Sequence, residues 1–229
     1  MNADVVTGNA RKKMSDTAVA RSQVYGLLTT AFRAEPNAAF VKDLKGPRFS
    51  GAFSDLGIDL GAEFRTAPES EILEQLAVEF TRLFLGPGQH ISAHESIFSE
   101  VDGDTGGLWG AKTVEVKKFI ETTGLDYESE FTGLPDHISV ELEFMRKLSE
   151  WEAARWSDYD SKNAKYCLTV QKKFIEEHLL KWVPKFCDEV IDKASMPFYR
   201  EMAKVTREFL DFDHDVINQS LSSKIESYE

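Results

Sequence analysis

Apolar residues recur along this chain at spacings of three to five and almost nowhere at two, a pattern of amphipathic helices rather than strands. Residues 1–14 lack the period and read as a disordered arm. From Ser15 the pattern sets in with Val19, Val24, Leu27, Leu28, Ala31 and Phe32. Glu35-Pro36 closes it, because proline biases its predecessor away from helical backbone. Asn37–Leu44 predicts a short second helix closed by Gly46-Pro47, and residues 48–68 predict no more than a turn. A stronger helix opens at Pro68-Glu69-Ser70-Glu71 and carries Ile72, Leu73, Leu76, Phe80, Leu83 and Phe84 on one stripe. It stops at Gly86-Pro87-Gly88, where glycine is expected in the left-handed cap and proline bars continuation. After a long Gly-rich connection, Val114–Thr123 predicts a helix, and a second loop follows Gly124. The last third predicts helices over 137–156, 161–180, 182–194 and from 198 to 212 or beyond. The expected fold is all-α, a bundle of eight to ten helices within one domain over 15–225. The loops near 86–110 and 124–135 are the expected hinge between two helical halves.

Composition narrows the class. A chain of 229 residues suffices for one large domain or two subdomains sharing a core. With 42% hydrophobic and 29% charged residues it is not a disordered chain. The net charge of −12, with no basic patch to offset it, argues against nucleic acid and favours basic partners. Cys167 and Cys187 have neither the spacing of a zinc or redox pair nor that of a disulfide framework, which fits a reducing compartment. Arg11-Lys12-Lys13 leads into Met14-Ser15-Asp16 and not into an apolar run, so no secretory signal is read there. No apolar run approaches the roughly 20 residues of a membrane span. A cytoplasmic protein without membrane insertion is expected.

Candidate chemistry centres on GLPDHISVELEFM, Gly133–Met145. Asp136 is placed to cap the helix that follows, and His137 and Glu141, four apart, share a face beside the stripe Ile138, Leu142 and Met145. An acid next to a histidine suggests acid–base work, but no nucleophile accompanies the pair. His90 and His94, with Glu95 adjacent, have a spacing that chelates zinc from a helix, yet no third ligand is indicated and no metal is expected. The run GDTGGLWG, 103–110, lacks the Lys-Ser/Thr of a phosphate-binding loop. Phe80, Leu83 and Phe84, with Phe98 and Trp109 in the adjoining loop, either fill a core or line a groove for an apolar peptide with basic ends.

Four elements in order, spread over roughly residues 18–210, resemble the TorD/DmsD/NarJ family of redox-enzyme maturation chaperones. Phe80-Thr81-Arg82-Leu83-Phe84, followed by Gly86-Pro87, is similar to the family's aromatic-x-x-Leu-Phe motif. His94-Glu95-Ser96-Ile97-Phe98 resembles its Pro-Tyr-x-Ser-x-aromatic element, with Ala93 and His94 in place of Pro-Tyr. Asp136-His137 matches the end of Glu-Pro-x-Asp-His, with Gly133-Leu134 in place of Glu-Pro and Pro135 displaced by one; Glu141–Met145 continues in the family manner. His178–Phe186 resembles a recurrent C-terminal segment. The resemblance implies an all-α chaperone and not an enzyme. The implied partners are the apo catalytic subunit of a molybdopterin oxidoreductase and its twin-arginine signal peptide. It implies no cofactor beyond weak GTP binding in some members, and a monomer or a domain-swapped homodimer. The implied peptide site is Phe80, Leu83, Phe84, Glu95, Ser96, Phe98, Trp109, Asp136 and His137, carboxylates toward the arginines and aromatics toward the apolar stretch. Two other readings stand beside it: a nucleotide-binding or hydrolytic protein using Asp136 and His137, and a helical structural adaptor.

Overall fold

The computed structural model describes residues 3–99, 110–124 and 133–223. Its first helix, α1 (Ala3–Arg33), begins well before the expected start at Ser15. Residues 10–14 carry no apolar period, but Ala, Arg, Lys and Met are good helix formers. Lys12 pairs with Asp16 one turn on at 2.6 Å, and the Arg11 guanidinium lies 5.3 Å from the centre of the Tyr159 ring. The arm expected at 1–14 is therefore helical from Ala3.

Short helices α2 (Ala38–Lys45), α3 (Pro47–Asp55) and α4 (Ala62–Thr66) follow. Asn37 Oδ1 caps α2 by accepting from Phe40 N–H at 2.9 Å. The segment 48–68, read as at most a turn, thus holds two helices; proline at the first position of α3 supplies a backbone angle already suited to a helix. Helix α5 (Glu69–Phe80) runs into a wide π-helical turn, Thr81–Leu85. Gly86, the cap residue, is extended and not left-handed as expected; the positive φ falls two residues on, at Gly88 (120°). After α6 (Glu95–Phe98) and α7 (Ala111–Thr122) come the long helices α8 (Ile138–Ser157) and α9 (Ser161–Phe174). A second π turn, Ile175–Leu179, joins α9 directly to α10 (Leu180–Lys193), where a break near 181 was expected. Pro184 sits inside α10, and the wide turn just before it is where the backbone accommodates a proline. The last helix among the described residues is α11 (Pro197–Ser222). The fold is all-α, with no strand among the described residues.

Helix α8 is buried around most of its circumference, from Ile138 through Leu142, Met145, Leu148 and Ser149 to Trp156, so it is the central element. α1 and α9 pack on it, and α11 packs on α9, α10 and α1. These helices share one buried charged set. Arg21 donates to Asp213 on α11, to Glu152 on α8 (2.7 Å) and to Gln171 on α9; Tyr25 O–H donates to Asp213 at 2.6 Å. Burial alone would lower the Arg21 pKa, but Asp213 and Glu152 raise it instead. All four long elements are thereby fixed in register through one guanidinium.

Removing one partner leaves a buried charge uncompensated. Asp213→Ala is expected to reduce unfolding free energy by about 3–5 kcal/mol, measured by urea denaturation. A loss below about 1 kcal/mol would show that the set does not hold the frame.

Candidate functional site

The chain stretches around His94 and His137 cross in space. Glu95 N–H donates to Asp136 O at 2.9 Å and Ile138 N–H to Ala93 O at 2.8 Å, so His94 and His137 pair as an isolated antiparallel bridge. Both residues are extended and each precedes a helix, where the first N–H groups need partners outside the helix. The two imidazoles meet edge to face with centroids 4.9 Å apart.

The cap expected of Asp136 falls to His137. Its Nδ1 accepts from Ser139 N–H at 3.2 Å and lies 2.8 Å from the Ser139 hydroxyl. Asp136 turns the other way, its Oδ2 accepting from Ser96 N–H at 3.1 Å, and so caps α6 across the bridge. A helix end needs a carboxylate within reach of its free N–H groups, not one adjacent in sequence.

On one side of this crossing lies a cavity of about 570 Å³. The end of α1 (Arg33, Glu35), the π turn (Phe84, Leu85) and the loop carrying His90 and His94 line it, with Phe80 and His137. The floor is aromatic: Phe84 packs on Phe80, Phe186 and Tyr199 at centroid distances of 5.0, 6.1 and 6.0 Å. Leu85 stands 64% exposed at the rim, where the Thr81 hydroxyl donates to Glu35 at 2.6 Å. Ile91 N–H donates to Leu83 O at 2.7 Å and folds the loop back onto the turn. Burial lowers the His94 pKa against the opposing charge of Asp136. Burial, with His94 and Arg33 adding to it, pushes His137 down to about 3. Both rings are held toward their neutral form, and the other ionisable side chains of the lining are Arg33, Glu35 and His90. A half-apolar cavity of this size, with an aromatic floor and polar side chains around it, is suited to a side chain or short segment of a ligand.

On the other side of the crossing the groups are closed off. Glu95, Asp136, Glu141 and His178 are all fully buried. Glu95 and His178 Nδ1 pair at 2.9 Å, and Trp182 Nε1–H donates to Glu141 at 3.1 Å.

Of the residues read as a peptide site, Phe80, Phe84 and His137 line the cavity. Leu83 and Ser96 are buried behind it, and Phe98 packs on Trp182 at 5.6 Å. Trp109 lies outside the described residues. Glu95 and Asp136 are 0% exposed, so they do not present carboxylates to a ligand at the surface as expected. The carboxylate that lines the cavity is Glu35, noted in the sequence only as the residue before a helix-ending proline. Arg33, Leu85 and Ser92 were likewise missed; their one local signal is that they flank chain breaks. Among the described residues no group of three or more His, Cys, Asp or Glu is arranged to hold a metal ion, the pair His90 and His94 included. No helix among them is long and apolar enough to cross a membrane.

Residues 56–188, more than half of the chain, match the family model described as nitrate reductase delta subunit. The chain belongs to that family. The matched span includes the α5 stripe, both π turns, the crossing and α8, leaving Arg33 and Glu35 of the cavity outside it. A chaperone protein TorD from Shewanella loihica is 27% identical, covering 86% of this chain and 93% of its own. One from Shewanella oneidensis is 24% identical over 90% and 94%, and one from a Psychrobacter species 29% over 73% and 77%. A crystal structure of a protein assigned to redox enzyme maturation in Archaeoglobus fulgidus covers 84% of this chain with a TM-score of 0.47 and 20% identity. The resemblance drawn from the four sequence elements is borne out, and the nitrate reductase delta subunit family is one of chaperones, not of catalysts.

Because His137 is neutral in the fold while an unfolded histidine takes a proton below about 6.5, it withdraws stability as pH falls from about 6.5 toward 3. His137→Asn keeps a capping acceptor but does not titrate. Unfolding free energies from urea denaturation are expected to fall less steeply for the variant than for wild type between pH 6.5 and 4.5, by up to about 1.4 kcal/mol per pH unit. Parallel profiles would mean that His137 is protonated in the folded protein.

Proposed function

We propose that this protein is a cytoplasmic chaperone that holds the apo catalytic subunit of a molybdopterin oxidoreductase and its twin-arginine signal peptide. Export is thereby delayed until the molybdenum cofactor is in place. The role needs no cofactor of the chaperone's own. The observation that carries the reading is the cavity of about 570 Å³ beside the His94–His137 bridge, in a chain whose family consists of chaperones. Its floor of Phe80 and Phe84 offers apolar contact to the hydrophobic stretch of a leader. Glu35 offers one arginine a carboxylate, a directional pairing for a guanidinium. The net charge of −12 steers a basic leader toward the surface.

The test is calorimetry with a synthetic twin-arginine leader from the molybdoenzyme subunit that co-purifies with the protein. Wild type is expected to bind it. Leu85→Glu and Glu35→Lys are each expected to weaken binding tenfold or more, about 1.4 kcal/mol, with the thermal midpoint unchanged. Absence of binding by wild type, or equal affinity in both variants, sinks this assignment.

A further inference from the structure

Helix α6 is four residues long, too short to hold itself in place, and a buried set of acidic groups outside the cavity seats it. Glu95 at its start gives one oxygen, Oε2, to His178, and Glu141 on α8 gives Oε2 to the Trp182 indole. The remaining oxygens, Glu95 Oε1 and Glu141 Oε1, have no protein N–H or hydroxyl partner among the described residues, and neither does Asp136 Oδ1. Two fully buried carboxylates in contact do not both ionise. One proton on Glu141, donated to Glu95, satisfies both acceptors. Burial first, and then the charge of Glu95, raise Glu141 well above the ordinary carboxylate range.

We propose that this single shared proton is a latch. While it is present α6 stays seated; its loss unseats residues 95–99 and uncovers Phe98 and Trp182, with the long helices still folded. Around Glu141, Glu95 on α6 and Asp136 in the turn before α8 oppose ionisation, and the Trp182 N–H of α10 favours it. His178 in the second π turn pairs with Glu95, and Lys112 on α7 is drawn toward Glu95 as well. His94, beside Asp136, is held toward its neutral form. No cation among the described residues bonds to Glu141. When charge accumulates, the weaker support yields. Glu141 stands inside a 20-residue helix buried on nearly all sides, whereas α6 is one turn long and is held by Glu95 N–H and Ser96 N–H on Asp136 in the turn before α8, by the Glu95–His178 pair and by Phe98 against Trp182.

The closed fold keeps a proton that an opened site, with ordinary carboxyls, has already lost. From the ordinary carboxylate range up to the raised value in the closed state, rising pH therefore favours opening by up to about tenfold per unit. Residue-resolved amide hydrogen exchange from pH 5 to 9 on the full chain reads this directly. Protection factors at 95–99 are expected to fall up to about tenfold per pH unit over part of that range while those of α8 and α11 hold. Glu141→Gln keeps the hydrogen bonds without the charge and is expected to give a flat profile. Equal pH dependence in wild type and Glu141→Gln overturns the proposal, as does loss of protection at 95–99 only together with α8. If the variant does not fold, the wild-type profile decides alone: protection at 95–99 that is independent of pH overturns it.

Discussion

Two backbone hydrogen bonds, Glu95 N–H to Asp136 O and Ile138 N–H to Ala93 O, place everything else in the site. In an all-helical chain the N–H groups at the starts of α6 and α8 have no partner within their own helices. Crossing the two lead-in segments satisfies them mutually, and two side chains complete the exchange. Asp136 caps the helix that His94 introduces, and His137 caps its own. The crossing also has two faces of opposite character. One carries the imidazoles toward an open, aromatic-floored cavity; the other carries Glu95 and Asp136 into the interior against Glu141 and His178.

The frame around the crossing is of a different kind. α1, α8, α9 and α11 are long, packed along apolar stripes and keyed together by Arg21 with Asp213, Glu152 and Gln171. A buried guanidinium with three oriented partners fixes helix register because its donors point in fixed directions. The site, by contrast, is built from short pieces: the π turn 81–85, the loop 86–94 and the four residues of α6. Rigid support beneath short, weakly self-stable segments lets the site move while the frame holds.

Much of this was legible in the sequence. Ile72, Leu76 and Phe80 at intervals of four announced α5, and Gly86-Pro87-Gly88 its end. The order of the four family-like elements pointed to the right family because order and spacing constrain far more than one motif. What was not legible has a common cause. Periodicity reports which face of a helix is apolar, not which distant residue faces it. Glu35 meets Thr81 across 46 positions and Glu95 meets His178 across 83. Glu95 and Asp136 were therefore expected to face a ligand, and both are interior, with Glu141 buried beside them. The N-terminal extension of α1 was missed for the opposite reason: propensity and continuation from a packed segment form helix there without any apolar period.

In the proposed function a client leader rests in the cavity beside the His94–His137 bridge. The most direct measurement places a photo-crosslinking benzoylphenylalanine at position 85, on the cavity rim, and separately at position 56, where Leu56 is 73% exposed at the end of α3 and does not line that cavity. Irradiated with a twin-arginine leader peptide, the chain is expected to crosslink from position 85 and not from position 56. Crosslinking from 56 alone, or equally from both, would contradict the account.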